Sequence, residues 1–117
     1  AFGKPIAKLG GNLETISRAR IEINAMRLAV LQAARAMDVL GNKEARVYVS
    51  AVKAMVPEKV CLIIDQAIQM HGAAGISQWT PLADMYTDMR HLRFADGPDE
   101  VHHMVVGRAE VQKYGLW

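Results

Sequence analysis

The sequence predicts an all-α protein in the form of a four-helix bundle. Apolar residues recur at helical spacing over two long stretches, and glycine and proline separate these from two shorter helical stretches. The run at residues 47–50 has the composition of a short strand, but no second run offers it a partner strand. The 117 residues, 51% of them hydrophobic and 22% charged, suffice for one domain with a buried core.

The first long helix is predicted over residues 13–40. Its apolar residues follow one another in steps of three and four, the period of about 3.5 residues at which a helix packs nearly parallel to another. This stripe consists of Ile16, Ala19, Ile23, Met26, Val30, Ala33, Met37 and Leu40. The opposite, charged face is expected to be solvated and carries Glu14, Arg18, Glu22, Arg35 and Asp38. Gly41 and Asn42 end the helix, since glycine readily adopts positive φ there.

The second long helix is predicted over residues 43–71, with contacts on two of its sides. One apolar stripe consists of Val52, Val56, Val60, Ile63, Ala67 and Met70, and the other of Ala54, Cys61, Ile64 and Ile68. Pro57 lies within this helix. Because proline lacks an N–H group and its ring clashes with the preceding turn, we expect a kink or a local break near residues 53–56.

Two shorter helices complete the prediction. After a turn at residues 72–75, Thr80 is expected to cap a helix that has Pro81 at its first position and ends near residue 90. Pro98 is expected to start the last helix, which continues to about residue 114. Its inward-facing residues are predicted to be Val101, Met104, Val105 and Val111.

Composition and charge exclude several classes of protein. The net charge of +2 comes from interspersed acidic and basic residues, so no basic stripe for nucleic acid is present. No apolar run has the roughly 20 residues of a membrane span, and the first residues do not resemble a signal peptide. The single Cys61 cannot form an internal disulfide and suits a reducing compartment. Because the sequence starts at Ala1 without Met, we expect it to be part of a longer chain.

Three features of the residues themselves could carry chemistry. Glu100 and His103 have the Glu-x-x-His spacing of a metal ligand pair, but di-iron bundles need two such pairs and further glutamates, so no metal is predicted. His102 and His103 are adjacent, so one of them faces inward and can simply form hydrogen bonds there. The Gly72-x-x-Gly75 segment suits a helix end better than a phosphate cradle. Asp96 before Gly97-Pro98 is, from spacing alone, a turn residue.

The chain resembles the C-terminal domain of flavin-dependent acyl-CoA dehydrogenases along its whole length. The matching segments, in order, are Phe2-Gly3-Lys4-Pro5, Gln69-Met70-His71-Gly72-Ala73-Ala74-Gly75, Asp88 with Arg90, and Asp96-Gly97-Pro98 leading to Arg108. The segment from Phe94 to His102, with its Asp-Gly-Pro-Asp-Glu motif, most resembles a subgroup acting on longer acyl chains. The resemblance implies that residues 1–117 are the closing four-helix bundle of a chain that also has a helical and a β domain.

The resemblance implies that Asp96 is the catalytic base. In the family, a carboxylate before glycine removes the α-proton of the acyl-CoA while the β-hydride passes to the flavin, giving the trans-2-enoyl-CoA. Such a carboxylate is expected in a dry pocket. Aspartate is one methylene shorter than the glutamate of many relatives, so the substrate or the loop has to lie closer. Gly97 lets the backbone approach the substrate, and Arg108 matches an arginine at the CoA phosphates, although a surface role is equally open.

The resemblance also implies FAD as cofactor and assigns residues to it. These are Phe2, then Gln69, Met70, His71, Gly72 and Ala73, which reach the FAD of a neighbouring subunit, and Pro98, Asp99 and Glu100 at the start of the last helix. Departures from the family pattern include Ala73 in place of glycine and Pro98 in place of threonine.

Implied partners are the acyl-CoA substrate, further copies of the chain in a homodimer or homotetramer, and an electron acceptor such as electron-transfer flavoprotein. The implied location is intracellular: mitochondrial or peroxisomal in a eukaryote, cytoplasmic in a bacterium. A non-catalytic helical oligomerisation module is the alternative.

Overall fold

The structure is a computed structural model that describes all residues, 1–117. It contains three α-helices, α1 (Asn12–His71), α2 (Leu82–His91) and α3 (Asp99–Gln112), and two short 3-10 helices, Ile6–Lys8 and Gly72–Ile76. It contains no strand, which confirms the predicted all-α class. None of the helices combines the length and the apolar character needed to cross a membrane.

Helix α1 folds back on itself at Gly41. The φ and ψ angles there are 78° and 172°, the only non-helical pair within its 60 residues. We call residues 12–40 the first segment and residues 42–71 the second segment. They lie side by side in opposite directions, because Lys59 of the second segment reaches Glu22 of the first at 3.3 Å. With α2 and α3, the chain therefore has the four helical segments of the predicted bundle.

Small residues form part of the core. Ala36 of the first segment and Ala45 and Ala54 of the second segment are buried, and short side chains of this kind allow helices to approach closely. Of the stripe predicted for the first segment, Met26 and Ala33 are buried. Its larger members Ile16, Val30, Met37 and Leu40 are exposed in this chain. The periodicity predicted the helix correctly but only part of the core.

The second segment is contacted on two sides, as predicted: the first segment lies on one side, and α2 and α3 lie on the other. The second of its stripes is the more buried, with Ala54, Cys61 and Ile64 inaccessible to solvent. The break expected near residues 53–56 is wrong, because the helical torsion angles continue through Pro57. Pro57 is itself buried, so packing on both sides holds the helix where one backbone hydrogen bond is missing.

Two local predictions for the shorter helices are also wrong. Thr80 does not cap α2: its hydroxyl donates to the carbonyl of Ala74 at 3.1 Å, and α2 begins after Pro81. On α3, the residues Val101, Met104 and Val111 are exposed, whereas Val105 is half-buried as expected. The inward face is rotated because His102 contacts Ser50 of the second segment. The two helices follow one another along the second segment, so the loop between them, residues 92–98, lies beside its middle.

Candidate active site

The loop at residues 92–98 presents Asp96 to solvent in an unusual backbone conformation. Asp96 has φ of 56° and Gly97 has φ of 106°. For a residue with a side chain this left-handed region is seldom occupied unless the surroundings hold it. The Asp96 side chain is exposed, and its carboxylate takes part in none of the hydrogen bonds or ion pairs within the chain. The dry pocket expected around Asp96 is therefore not formed by this chain alone.

The backbone of Asp96 is held by His102. The ring atom Nε2 of His102 lies 3.2 Å from the Asp96 carbonyl oxygen, and Nδ1 lies 3.2 Å from Oγ of Ser50. A carbonyl oxygen can only accept, so Nε2 carries the hydrogen. In the neutral ring Nδ1 then accepts from the hydroxyl of Ser50, which is buried. The hydrogen-bonding role foreseen for one of the two histidines thus belongs to His102.

Lys53 of the second segment contacts the same loop. Its Nζ donates to the carbonyl of Leu92 at 2.5 Å and to the carbonyl of Gly97 at 3.0 Å. Gly97 also lies against His102, because a Cβ added to Gly97 would stand 3.0 Å from Nε2 of the histidine. Glycine is therefore required at position 97 both by its positive φ and by this contact.

A third contact anchors the start of α3. Nε of Arg93 donates to Oδ2 of Asp99 at 2.7 Å, and the N–H group of Asp99 donates to the Arg93 carbonyl at 3.0 Å. Asp99 is only 8% exposed, and its second carboxylate oxygen has no hydrogen-bond partner. The hydrogen bond that Arg93 donates to Asp99 raises the pKa of the Arg93 guanidinium. Since the Asp99 carboxylate is committed to Arg93, a cofactor contact at this turn depends on Pro98 and Glu100, which are exposed.

The segment Gln69–Ala73 lies at the end of the bundle opposite Gly41. Gly72 has φ of 60°, and nothing lies within 4 Å of the position of an added Cβ, so a ligand can approach its backbone. Gln69 and Met70 line a cleft of about 350 Å³ together with Asn12 and Thr15 of the first segment. Nδ1 of His71 pairs with the carbonyl of Ala67 at 2.7 Å, and Ala73 is exposed.

Phe2 is the other residue that the sequence assigns to a flavin. Its side chain is 91% exposed, and its φ of 53° is positive. An aromatic ring left this open can stack on a planar ligand. The ring of Phe2, the backbone of Gly72 and the side chain of Glu100 are thus each accessible to a ligand with aromatic and polar groups, as FAD has.

Arg108 lies further along α3, at the Gly41 end of the bundle. With Lys43 and Arg46 it lines a cleft of about 230 Å³. Its guanidinium lies 4.8 Å from the ring centroid of Trp117. Three cations around one cleft suit an anionic group, and stacking on Trp117 holds the planar fork of the arginine in place.

The structure thus brings together one part of the predicted site and leaves the others apart. Residues 96–100 form one continuous loop and helix start, whereas no hydrogen bond or ion pair connects them to Gln69–Ala73 or Phe2. No three side chains of His, Cys, Asp or Glu come together in a way that could hold a metal ion. The sequence analysis missed Lys53, Ser50 and Arg93, whose partners lie across the fold or across a non-helical turn. A lysine within an apolar stretch was the one available indication for Lys53.

The three α-helices and the absence of strands define an all-α helical domain, and the comparisons identify its family. The model of the family described as "Acyl-CoA dehydrogenase, C-terminal domain" matches residues 1–111. A Mus musculus protein named acyl-CoA dehydrogenase family member 10 is 49% identical over 96% of this chain and 10% of its own length. A Mycobacterium tuberculosis protein assigned as an acyl-CoA dehydrogenase is 48% identical over 97% of this chain and 28% of its own length.

A solved structure gives the same result. A protein of Mycobacterium abscessus assigned as an acyl-CoA dehydrogenase superimposes with a TM-score of 0.93 at 51% identity, over 97% of this chain and 28% of that one. The chain belongs to the acyl-CoA dehydrogenase family and corresponds to its C-terminal domain. It spans between about a tenth and little more than a quarter of the length of these relatives.

Proposed function

We propose that this chain is the C-terminal bundle of an FAD-dependent acyl-CoA dehydrogenase that converts an acyl-CoA thioester to the trans-2-enoyl-CoA, with Asp96 as the base. The observation that carries the proposal is the state of Asp96: the carboxylate is free of partners within the chain, while the backbone of its loop is held at a left-handed φ of 56°. A carboxylate that has no internal partner can accept a substrate proton, provided that it is held in place.

The neighbouring residues have supporting roles in this proposal. Gly97 lets the loop backbone approach the thioester, since it carries no side chain. Arg108 and the adjacent Lys43 and Arg46 offer positive charge to the phosphates of CoA. Arg108 lies nine positions after Asp99, the first residue of α3, a rise of about 14 Å at ~1.5 Å per residue, so one extended ligand can reach both residues. The resemblance to a subgroup for longer acyl chains stays part of this proposal.

The residues proposed to hold FAD are exposed, except for half-buried Met70 and for Asp99, whose buried carboxylate pairs with Arg93. Phe2 offers an aromatic face, Gln69, Met70, His71, Gly72 and Ala73 offer amide groups and open backbone, and Pro98, Asp99 and Glu100 form the turn at the start of α3. FAD supplies, when bound, acceptance of a hydride from the β-carbon. The low coverage of the relatives supports the proposal that residues 1–117 are one domain of a longer enzyme. The isolated domain is then expected to be inactive.

The proposal extends to partners and location. Further copies of the chain, as homodimer or homotetramer, would bring Gln69–Ala73 to a neighbouring FAD, and an electron-transfer flavoprotein or another acceptor would reoxidise it. A mitochondrial or peroxisomal location in a eukaryote, or a cytoplasmic one in a bacterium, follows from this metabolic role.

Substitution of Asp96 tests the proposal. In the full-length protein that contains this domain, Asp96→Asn should lower turnover of a series of acyl-CoA thioesters by roughly 10²–10⁴-fold, because the amide cannot take up the proton. The flavin absorbance of the variant should be unchanged. Asp65→Asn, an exposed change on the second segment, is the control and should leave turnover unchanged. Turnover retained in Asp96→Asn would remove Asp96 as the base.

A non-catalytic oligomerisation module is the second candidate, and one observation favours it. Only 11 of the 117 residues are buried, and the first segment exposes Leu28, Leu31, Val39 and Leu40, an apolar surface suited to contact with another chain. The flavin spectrum separates the two candidates. A full-length protein that purifies without flavin absorbance and takes up no added FAD supports the module and ends the proposal of an enzyme.

A further inference from the structure

We infer that Lys53 is a positioning residue for Asp96. It binds both ends of the loop at residues 92–98, which carries the proposed base, and so fixes this loop to the second segment. The inference rests on the proposed function, since it needs Asp96 to be the base. It concerns a residue that touches neither the proposed substrate nor the cofactor and that acts only through the loop backbone.

The position of Lys53 relative to the loop is the first argument. Its Nζ forms no ion pair with a carboxylate and instead donates to the carbonyls of Leu92, at 2.5 Å, and Gly97, at 3.0 Å. Leu92 directly follows α2, and Gly97 directly follows Asp96. One ammonium group thus bridges the entrance of the loop and the residue beside the base, across 39 and 44 positions of sequence.

The chemistry of lysine suits this task. An ammonium group has three donors and no acceptor, so it can serve two carbonyls at once. The Leu92 carbonyl lies at the C-terminal end of α2, where the helix dipole places partial negative charge that favours a cation. The aliphatic stem of Lys53 lines an apolar groove of about 450 Å³ together with Val52, Val56 and Met89. Burial of the stem against these side chains directs the charged end to the loop.

The backbone conformation of Asp96 is the reason why the loop depends on hydrogen bonds to its carbonyl groups. Asp96 has φ of 56°, a conformation that persists only where the surrounding contacts fix it. His102 holds the carbonyl of Asp96, and Lys53 holds the next carbonyl, that of Gly97. Without Lys53 the Gly97 carbonyl loses its partner, and glycine gives the backbone freedom to rotate. The carboxylate of Asp96 would then spend less time in the reactive position.

The test compares Lys53→Met with Lys59→Met in the full-length protein that contains this domain. Methionine keeps the apolar stem and removes the ammonium group. Lys59 lies on the same segment but pairs with Glu22, away from the loop, which makes it a matched control. We expect Lys53→Met to lower kcat by about 10- to 100-fold, the effect of a misplacement of about 1 Å, with KM and flavin content as in the control. Lys53→Arg should recover part of kcat.

Hydrogen exchange gives a readout independent of activity. Amides of residues 92–98 should exchange faster in Lys53→Met than in wild type, and at the wild-type rate in Lys59→Met. If Lys53→Met does not yield folded protein, Lys53→Gln, whose uncharged amide keeps two N–H donors on a shorter side chain, should show both effects in smaller size. Wild-type kcat and wild-type exchange in the folded variant would overturn the inference, as would a loss of kcat that only follows loss of flavin.

The outcome with Asp96→Asn separates this inference from the proposed function. If Asp96→Asn is inactive while Lys53→Met keeps the wild-type kcat, Asp96 remains the base and only the role of Lys53 is wrong. If Asp96→Asn retains turnover, the proposed base is wrong and the role of Lys53 falls with it. If both variants lose kcat, and the loop amides exchange faster only in Lys53→Met, the inference stands.

Discussion

Substitution of Gly75 by alanine tests how closely the turn between α1 and α2 packs against the end of α1. A Cβ at position 75 would lie 2.7 Å from the carbonyl oxygen and 2.9 Å from Cα of Ile68, both of them backbone atoms. Carbon atoms pack favourably at about 3.5–4.0 Å, so the turn has to move away from α1 by several tenths of an ångström. Overpacking of this kind costs about 1–3 kcal/mol. Alanine returns about 0.4–1 kcal/mol through the lower entropy of the unfolded chain.

With the middle of each range, the net expectation for Gly75→Ala is a loss of about 1.3 kcal/mol in the free energy of unfolding. Gly107→Ala is the control, because Gly107 lies within α3, has no atom within 4 Å of an added Cβ, and should gain about 0.8–1 kcal/mol. Urea unfolding of the 117-residue chain, followed by circular dichroism, measures both. A midpoint for Gly75→Ala at or above that of wild type would refute the reasoning, as would an equal loss in both variants.

Two further predictions concern buried polar groups near the same helices. Arg93→Met should destabilise the chain more than the double variant Arg93→Met/Asp99→Asn does, because the single change leaves the buried carboxylate of Asp99 without its counter-ion. Urea unfolding measures both variants, and a lower midpoint for the double variant would contradict this expectation. Burial raises the pKa of the Cys61 thiol above its usual 9.0, although the positive charges of Arg93 and Arg90 lower it in part. As the pH rises, the thiol therefore ionises in the unfolded chain at a lower pH than in the folded chain. The stability due to the neutral thiol is therefore complete below pH ~9 and declines above it, and urea midpoints between pH 8 and 10 should fall more steeply for wild type than for Cys61→Ala.

Periodicity was sufficient to predict the helices but not the surfaces that they bury. The spacing of apolar residues predicted both segments of α1, and Gly41 predicted the reversal between them. The buried core, however, also includes Ala36 and Ala45, which lie outside the predicted apolar stripes. The apolar residues left exposed on the first segment show why a hydrophobic pattern cannot tell the core of a domain from a surface that another chain or domain covers.

The candidate site was predictable where chemistry resides in one short segment. Asp96 and Gly97 were found from their resemblance to a family, and the structure supplies their backbone angles and contacts. Lys53 could not be found in this way, because its role depends on a distance across the fold. The ion pair of Arg93 and Asp99 was not predicted for a related reason. Residues six positions apart do not contact each other on a helix, and this pair meets only because the chain between them forms an irregular turn.

In the proposed function, the requirements of the base Asp96 are divided between this chain and the rest of the enzyme. His102 and Lys53 bind backbone carbonyls and leave the Asp96 carboxylate without a partner. This chain therefore determines where the carboxylate lies, but it leaves the carboxylate exposed to solvent. Exclusion of water, which strengthens every charge interaction at a reacting centre, has to come from surfaces outside this chain. Direct hydrogen bonds to the carboxylate would have fixed the position equally well, but they would have stabilised the charge that proton transfer has to neutralise.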